Sequence, residues 1–242
     1  VGRGRLADSM AYIFAERGGK FLLGASYGGN KVAVAPIGVD GTVRAARQAV
    51  ATKNAHCILA DKTNTYVLHT SLGEDVVYQH KFNAKSGKLT PNDPSTVSVK
   101  AKAGPRHLTF SPDGKFVYLV NELDGSIYAF PWNARTGKLK KEIQIVSALP
   151  RGFAGKPWAA DIHVTPDGKF LYASERTSST LAAFRVDRRK GTLTAIGNFA
   201  TEKQPRAFAI DSGGLYLFAV GQVSNSVTDY VVDKKSGELR NL

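Results

Sequence analysis

Arg106-His-Leu-Thr-Phe-Ser-Pro-Asp-Gly-Lys-Phe-Val-Tyr-Leu-Val-Asn-Glu122 and Ala160-Asp-Ile-His-Val-Thr-Pro-Asp-Gly-Lys-Phe-Leu-Tyr-Ala-Ser-Glu-Arg176 are two copies of one pattern. Each is a short apolar run, a Pro-Asp-Gly-Lys turn and a second apolar run rich in aromatic and β-branched residues, which is the signature of two strands joined tightly. Working outward, a third copy runs from Arg206 through Ser212-Gly213-Gly214 to Gln222, and a weaker one from Ala55 to Ser71 with Thr63 at the turn. The first copy starts near Ala11 and passes through Gly18-Gly19-Lys20-Phe21 to Tyr27. The anchors Gly19, Thr63, Gly114, Gly168 and Gly214 lie about 49 residues apart on average, near the periods of propeller repeats.

Each repeat reads as four strands. In the third, His107 to Ser111 and Phe116 to Glu122 form the first two, Leu123-Asp124-Gly125 turns the chain, and Ser126 to Trp132 forms the third. Thr136-Gly137-Lys138 turns it again into a more polar fourth strand, Leu139 to Val146. The same last turn recurs as Ser86-Gly87-Lys88, Lys190-Gly191-Thr192 and Ser236-Gly237-Glu238. The sequence therefore predicts an all-β fold, a β-propeller of four-stranded antiparallel blades, about five in number, forming a single domain over residues 1–242. No amphipathic helix of useful length is expected, and a pair of stacked β-sandwiches explains neither the period nor the recurring turns.

Composition narrows the function classes. The formal charge of +13 suits anionic partners, but the cations are scattered through turns such as Asn83-Ala84-Lys85-Ser86-Gly87-Lys88. There is no basic stripe with interleaved exposed aromatics, so nucleic acid is not the expected partner. No run of 18 apolar residues predicts a membrane span, and the basic start Val1 to Asp8 has no apolar segment after it. The single cysteine, Cys57, excludes an intrachain disulfide and points to the cytoplasm. It reads as a buried hydrophobe, set by strand alternation opposite to His56. Phosphate-loop, dinucleotide, nucleophile-elbow and zinc motifs are missing from the sequence, and the five histidines are dispersed along it.

In a propeller the first strand of each blade lines the central channel, and the second strand returns to the rim where the first began. At strand-one entry the repeats offer Tyr12, His56, Arg106 with His107, Asp161 and Arg206; at strand-two exit they offer Tyr27, Ser71, Glu122, Arg176 and Gln222. Scaffold positions carry the same residue types in each repeat, whereas these carry a different polar or ionisable group each time. His163, two residues beyond Asp161, falls on the same side by alternation. Blander roles compete: Glu122 with Arg176 as an ion pair between blades, arginines as blade ties, histidines as hydrogen-bonded lining, and Trp158 as packing.

Gly104-Pro-Arg-His107, Val120-Asn-Glu-Leu123, Trp158-Ala-Ala-Asp-Ile-His163, Glu175-Arg-Thr177, Gln204-Pro-Arg206 and Gly221-Gln222 together resemble the seven-bladed lactonases, which include bacterial 6-phosphogluconolactonase and fungal carboxymuconate cyclase. The resemblance implies lactone chemistry with no cofactor and no required metal, on a small anionic sugar lactone. It implies a catalytic set of His56, Arg106, Glu122 and Arg176, with His107, Asp161, His163, Arg206 and Gln222 binding substrate nearby. The expected roles are His56 or Glu122 as base, Arg106 as oxyanion donor, and Arg176 with Arg206 as anion clamp. A carboxymuconate-type lactone and a non-catalytic binding propeller stand as alternatives. The chain reads as truncated at both ends, stopping before the strand that completes the last blade, with exposed blade edges open to self-association.

Overall fold

The computed structural model describes Gly4 and residues 6–242; Val1, Gly2, Arg3 and Arg5, part of the basic start and of the 1–242 domain read above, lie outside the described residues. Every regular element among the described residues is a β-strand. The first sheet holds β1 (Tyr12–Ala15), β2 (Phe21–Ser26), β3 (Lys31–Pro36) and β4 (Gln48–Ala51), and the second β5 (Ala55–Ala60), β6 (Tyr66–Ser71), β7 (Val76–Asn83) and β8 (Lys88–Ser98). The third is built from β9 (Pro105–Phe110), β10 (Phe116–Asn121) and β11 (Ser126–Asn133), with a fourth strand interrupted into β12 (Lys138–Leu139) and β13 (Gln144–Ser147). The fourth holds β14 (Ala159–Val164), β15 (Phe170–Glu175), β16 (Thr180–Val186) and β17 (Leu193–Ala200), and the fifth β18 (Pro205–Ile210), β19 (Tyr216–Gly221), β20 (Val227–Val232) and β21 (Leu239–Asn241). The first, second, fourth and fifth sheets each run in sequence order, and the registers are antiparallel.

Three expectations need correction. The continuous strand from Leu139 to Val146 is broken: Lys140 N–H bonds Pro131 O while Ile143 N–H bonds Ala129 O, so three residues advance against two and the strand bulges at the charged Lys140-Lys141-Glu142. The last sheet does acquire its fourth strand, because Leu239–Asn241 pairs with β20. The turn anchor of the second repeat is Asn64, not Thr63: Asn64 has φ 57°, matching Gly19, Gly114, Gly168 and Gly214. Asparagine tolerates this left-handed region far better than a β-branched threonine does.

One device shapes the first turn of all five sheets. An oxygen-bearing side chain at its start accepts the N–H that opens the second strand: Glu16 from Phe21, Asp61 from Tyr66, Ser111 from Phe116, Thr165 from Phe170 and Asp211 from Tyr216. The sequence varies the residue but keeps the acceptor, which is why the repeat survives loss of the Pro-Asp-Gly wording.

The chain divides into two compact units, Val1–Arg106 with Asn133–Leu139, and His107–Trp132 with Lys140–Leu242. In the first, Phe21, Leu23, Val34, Ile58, Val67 and Phe82 form the core between the first two sheets. In the second, Phe116, Tyr118, Ile127, Ile162, Leu171 and Phe184 fill the space between the third and fourth sheets, and Phe170, Tyr172, Phe208, Leu217 and Tyr230 that between the fourth and fifth. Glycine in the last turn of a sheet lets the backbone lie on the aromatic that opens the second strand of the sheet before it. A Cβ at Gly191 would collide with the Phe116 ring, and one at Gly137 with the Tyr66 ring. Both glycines also have positive φ, 76° and 66°.

Candidate functional site

The first strands of three sheets carry register shifts where the site residues lie. Ala55 opposes Ser71 and Ile58 opposes His69, so His56 and Cys57 share Thr70 as partner. Ala159 opposes Glu175 and Ile162 opposes Ala173, so Ala160 and Asp161 share Ser174. In β18, Arg206 is the extra residue between Pro205 and Ala207. In two sheets a hydroxyl of the second strand holds the bulge, with Cys57 N–H donating to Thr70 Oγ1 and Asp161 N–H to Ser174 Oγ, both at 3.0 Å. Bulges re-aim side chains and recur beside functional sites.

This corrects the sequence reading in one respect. His56 and Asp161 are not equivalent members of one ring of positions. Cys57 is the counterpart of Asp161, and His56 of Ala160, because both strands bulge at the same place and the turn anchor Asn64 stands to Cys57 as Gly168 does to Asp161.

In the first unit, His56 is buried with its ring edge-on to Tyr27, centroids 5.8 Å apart. Arg106 is among the largest fully buried side chains, and its carbonyl accepts the Thr70 hydroxyl at 2.7 Å. Ser71 turns its hydroxyl to Lys53 O and Glu74.

The second unit assembles two ionisable clusters at the strand-entry end of its sheets. Asp161, 5% exposed, bridges two imidazoles: Oδ1 lies 2.8 Å from His107 Nδ1 and Oδ2 lies 3.2 Å from His163 Nε2. It also accepts the backbone N–H groups of Ile162 and Phe208. Burial works against its charge, but the two histidines hold its carboxyl far below the usual carboxylate range. Burial likewise opposes charge on His163, yet Asp161 and a hydrogen bond to the Phe208 backbone raise its pKa. An ionised Asp161 only accepts, so His107 Nδ1 donates to it and Nε2 is the ring nitrogen turned away from the carboxylate.

The other cluster centres on Arg176. Its guanidinium is 2.9 Å from Glu122 Oε2, donates to Trp158 O and Ala159 O, and stacks 3.9 Å over the Trp158 ring. Trp158 Nε1 donates to Glu122, completing a carboxylate–arginine–indole assembly. Below it, Glu175, fully buried, accepts Trp158 N–H and two bonds from Ser178. Arg206 and Gln222 remain exposed at the same ends of β18 and β19, and Gln222 N–H bonds Gln204 O.

Sequence reasoning gave Trp158 a packing role and left out Glu175. Ser71 corresponds to Glu175 and not to Arg176, since Ala55 faces Ser71 as Ala159 faces Glu175, and a glutamate at that repeat position was the signal for it.

The histidines are also less dispersed than the sequence suggests. His69 and His80 lie 4.9 Å apart, edge to face, beside Tyr78. Adjacent strands bring them together, with Val67 opposite His80 and His69 opposite Tyr78.

Five repeated sheets of antiparallel strands define a protein of the β-propeller class. Residues 3–242 match the family model described as Lactonase, 7-bladed beta-propeller, and the chain belongs to that family. It is 39% identical over 243 residues to the 6-phosphogluconolactonase of Pectobacterium carotovorum subsp. carotovorum, covering all of this chain and 73% of that protein. Identity to the 6-phosphogluconolactonase of Serratia proteamaculans is also 39% over the same span. Among solved structures, the periplasmic gluconolactonase PpgL of Pseudomonas aeruginosa superposes with a TM-score of 0.91 at 29% identity, over 98% of this chain and 70% of that one. A Lactobacillus plantarum protein gives 0.90 at 30% identity, over 96% and 70%. Among the described residues, no helix is long and apolar enough to cross a membrane.

Proposed function

We propose that this chain hydrolyses 6-phospho-D-glucono-1,5-lactone to 6-phosphogluconate. The observation that carries the reading is the buried Asp161 between His107 and His163, an imidazole–carboxylate arrangement suited to moving protons. The identities to 6-phosphogluconolactonases support the substrate.

His107 Nε2 takes a proton from water, and the oxygen attacks the lactone carbonyl. Asp161 holds the ring in the productive tautomer and stabilises the imidazolium that forms. The tetrahedral oxyanion then collapses, the carbonyl carbon–ring oxygen bond breaks, and the imidazolium returns its proton to the departing ring oxygen. This assignment moves the base from His56 or Glu122 to His107. Both oxygens of Glu122 are already taken, Oε2 by Arg176 and Oε1 by Trp158 Nε1. Arg106, preceding His107 on β9, keeps the role of oxyanion donor. Arg176 directs its guanidinium to Glu122 and two carbonyls, so the phosphate falls to the exposed Arg206.

The same reading puts the chain in the cytoplasm as one propeller domain, with the single buried Cys57 in support. It also carries self-association through exposed blade edges, such as that of β21 at the outer side of the fifth sheet. The test is steady-state hydrolysis of fresh phosphogluconolactone, corrected for spontaneous opening, beside gluconolactone and a carboxymuconolactone. A rate no greater than the spontaneous one with all three would defeat the proposal. Preference for the carboxymuconolactone would replace the substrate.

A further inference from the structure

The opposite end of the third and fourth sheets carries a feature that lactone chemistry does not use. A cavity of about 680 Å³ opens there, lined by two strand-one-to-two turns and the end of β16 with the turn after it. The six-residue β14 separates its rim from the entry end that carries Asp161, a length of about 20 Å. Five cations from these segments face it: Lys115, Lys169, Arg185, Arg188 and Arg189.

Three carboxylates share the rim, but each is directed into its own turn. Asp113 accepts from Ser111 Oγ and Lys115 N–H, Asp167 from Thr165 Oγ1 and Lys169 N–H, and Asp187 from the N–H groups of Arg189 and Lys190. The lysine ammoniums stay beside two of them, Lys115 Nζ 3.3 Å from Asp113 Oδ2 and Lys169 Nζ 3.6 Å from Asp167 Oδ2, so the arginines carry the excess positive charge of the cavity. Arg185 is tied to Lys235 O and Ser236 O, and Arg188 gives one bond to Asp167 O, whereas the Arg189 side chain is exposed, with no hydrogen-bond acceptor among the described residues. Phe116 and Tyr118 form an apolar floor, with the Tyr118 hydroxyl fixed on Gly191 O at 3.1 Å.

We propose that this cavity is a second binding site, distinct from the lactone site, for a ligand bearing a chain of phosphates. A single phosphate could engage only neighbouring cations. A chain of two or three could reach from Lys115 and Lys169 to Arg188 and Arg189, where forked guanidinium donors suit phosphate oxygens. The volume exceeds what an inorganic triphosphate fills, so the shared chemistry is the polyphosphate and the source is either inorganic polyphosphate or a nucleotide.

The experiment is isothermal titration of the full chain with inorganic tripolyphosphate and, separately, with metal-free ATP. One saturable site for tripolyphosphate, weakened at least tenfold in Arg188→Gln/Arg189→Gln and further in Arg188→Glu/Arg189→Glu, supports the proposal. Tighter binding of ATP than of tripolyphosphate identifies the nucleotide source, and the reverse order identifies inorganic polyphosphate. Both variants should keep the wild-type melting temperature and lactone hydrolysis, since neither arginine belongs to the lactone site. No saturable binding up to about 10 mM at 50 mM salt, where screening is modest, would overturn it. So would binding that the double variants leave intact, or binding that lactone substrate displaces competitively. Because the readout is heat of binding, it stands whether or not the lactonase reading survives.

Discussion

Asp161 Oδ1 and His107 Nδ1, 54 residues apart in sequence, meet at 2.8 Å at adjoining strand entries in the second unit. The carboxylate belongs to a bulge held by Ser174, so its aim is set by backbone geometry and not by a flexible side chain. Removing the carboxylate should therefore alter chemistry more than shape.

Asp161→Asn is expected to lower kcat by about 10²-fold or more with little change in KM, the range over which general acid–base catalysis operates. A merely structural role would leave the pH–rate profile unmoved. The variant should instead shift its acid limb, because His163 loses the carboxylate that raises its pKa and His107 loses its hydrogen-bond partner. Stopped-flow hydrolysis across pH 5–8 measures it, and an unshifted profile would remove His107 from the mechanism.

Arg206→Ala should chiefly raise KM for phosphogluconolactone and leave gluconolactone, which lacks the phosphate, nearly unaffected. A clamp contributes equally to ground and transition states, so it appears as uniform binding. Added salt should mimic the variant. Equal loss on both lactones would show that Arg206 does not hold the phosphate.

Arg106→Ala should lower kcat about 10²–10³-fold as loss of an oxyanion donor. Because Arg106 is 1% exposed, the same change should also destabilise the fold, which makes Arg106→Met, with more of the buried bulk kept, the cleaner probe. Retention of wild-type kcat in Arg106→Met would remove Arg106 from the mechanism.

Buried His80 has its pKa pushed down to about 4 by desolvation, and His69 is held well below its ordinary value by burial and by His80. The unfolded chain protonates these rings near pH 6.5 while the folded chain does not, so stability is lost as pH falls from 6.5 to about 4. For His80 alone the loss is about 3 kcal/mol. His80→Phe should flatten that part of a urea-denaturation series. His163 has the opposite sign: its raised pKa gives stability present below pH 6.5 and lost as pH rises through the folded value. His163→Gln should remove the alkaline decline.

Gly191→Ala should destabilise by about 2–4 kcal/mol, combining the left-handed backbone penalty with overpacking against Phe116. Adding Phe116→Leu should recover part of the loss but not all, because φ at 76° is unaffected by the neighbour. Thermal melts of the two variants decide it, and a neutral Gly191→Ala would mean the turn does not seat on the ring.

The fold was open to reading because its determinants are local and repeat. Pro112-Asp113-Gly114 and Pro166-Asp167-Gly168 announce turns on their own, and the apolar runs after them can only be strands. Aligning residue types puts Thr63 at the anchor in place of Asn64, whereas the turn itself pairs a side-chain acceptor with a left-handed residue three positions on. The site was half legible. Unequal polar residues at equal repeat positions marked where to look, and His107, Asp161 and His163 lay among them.

Sequence by itself determined the repeat, its turns, the strand order within each sheet and the positions at which chemistry could be placed, since each depends on residues within about ten of one another. Tertiary structure alone decided which of those groups meet. It joined Asp161 to His107 and His163, turned Arg176 onto Glu122 and Trp158, and packed His69 against His80. The reason is physical. A bulge shifts alternation by one residue, and burial forces each ionisable group to find a partner from whatever strand packs beside it, so partners lie tens of residues away and leave no periodic trace.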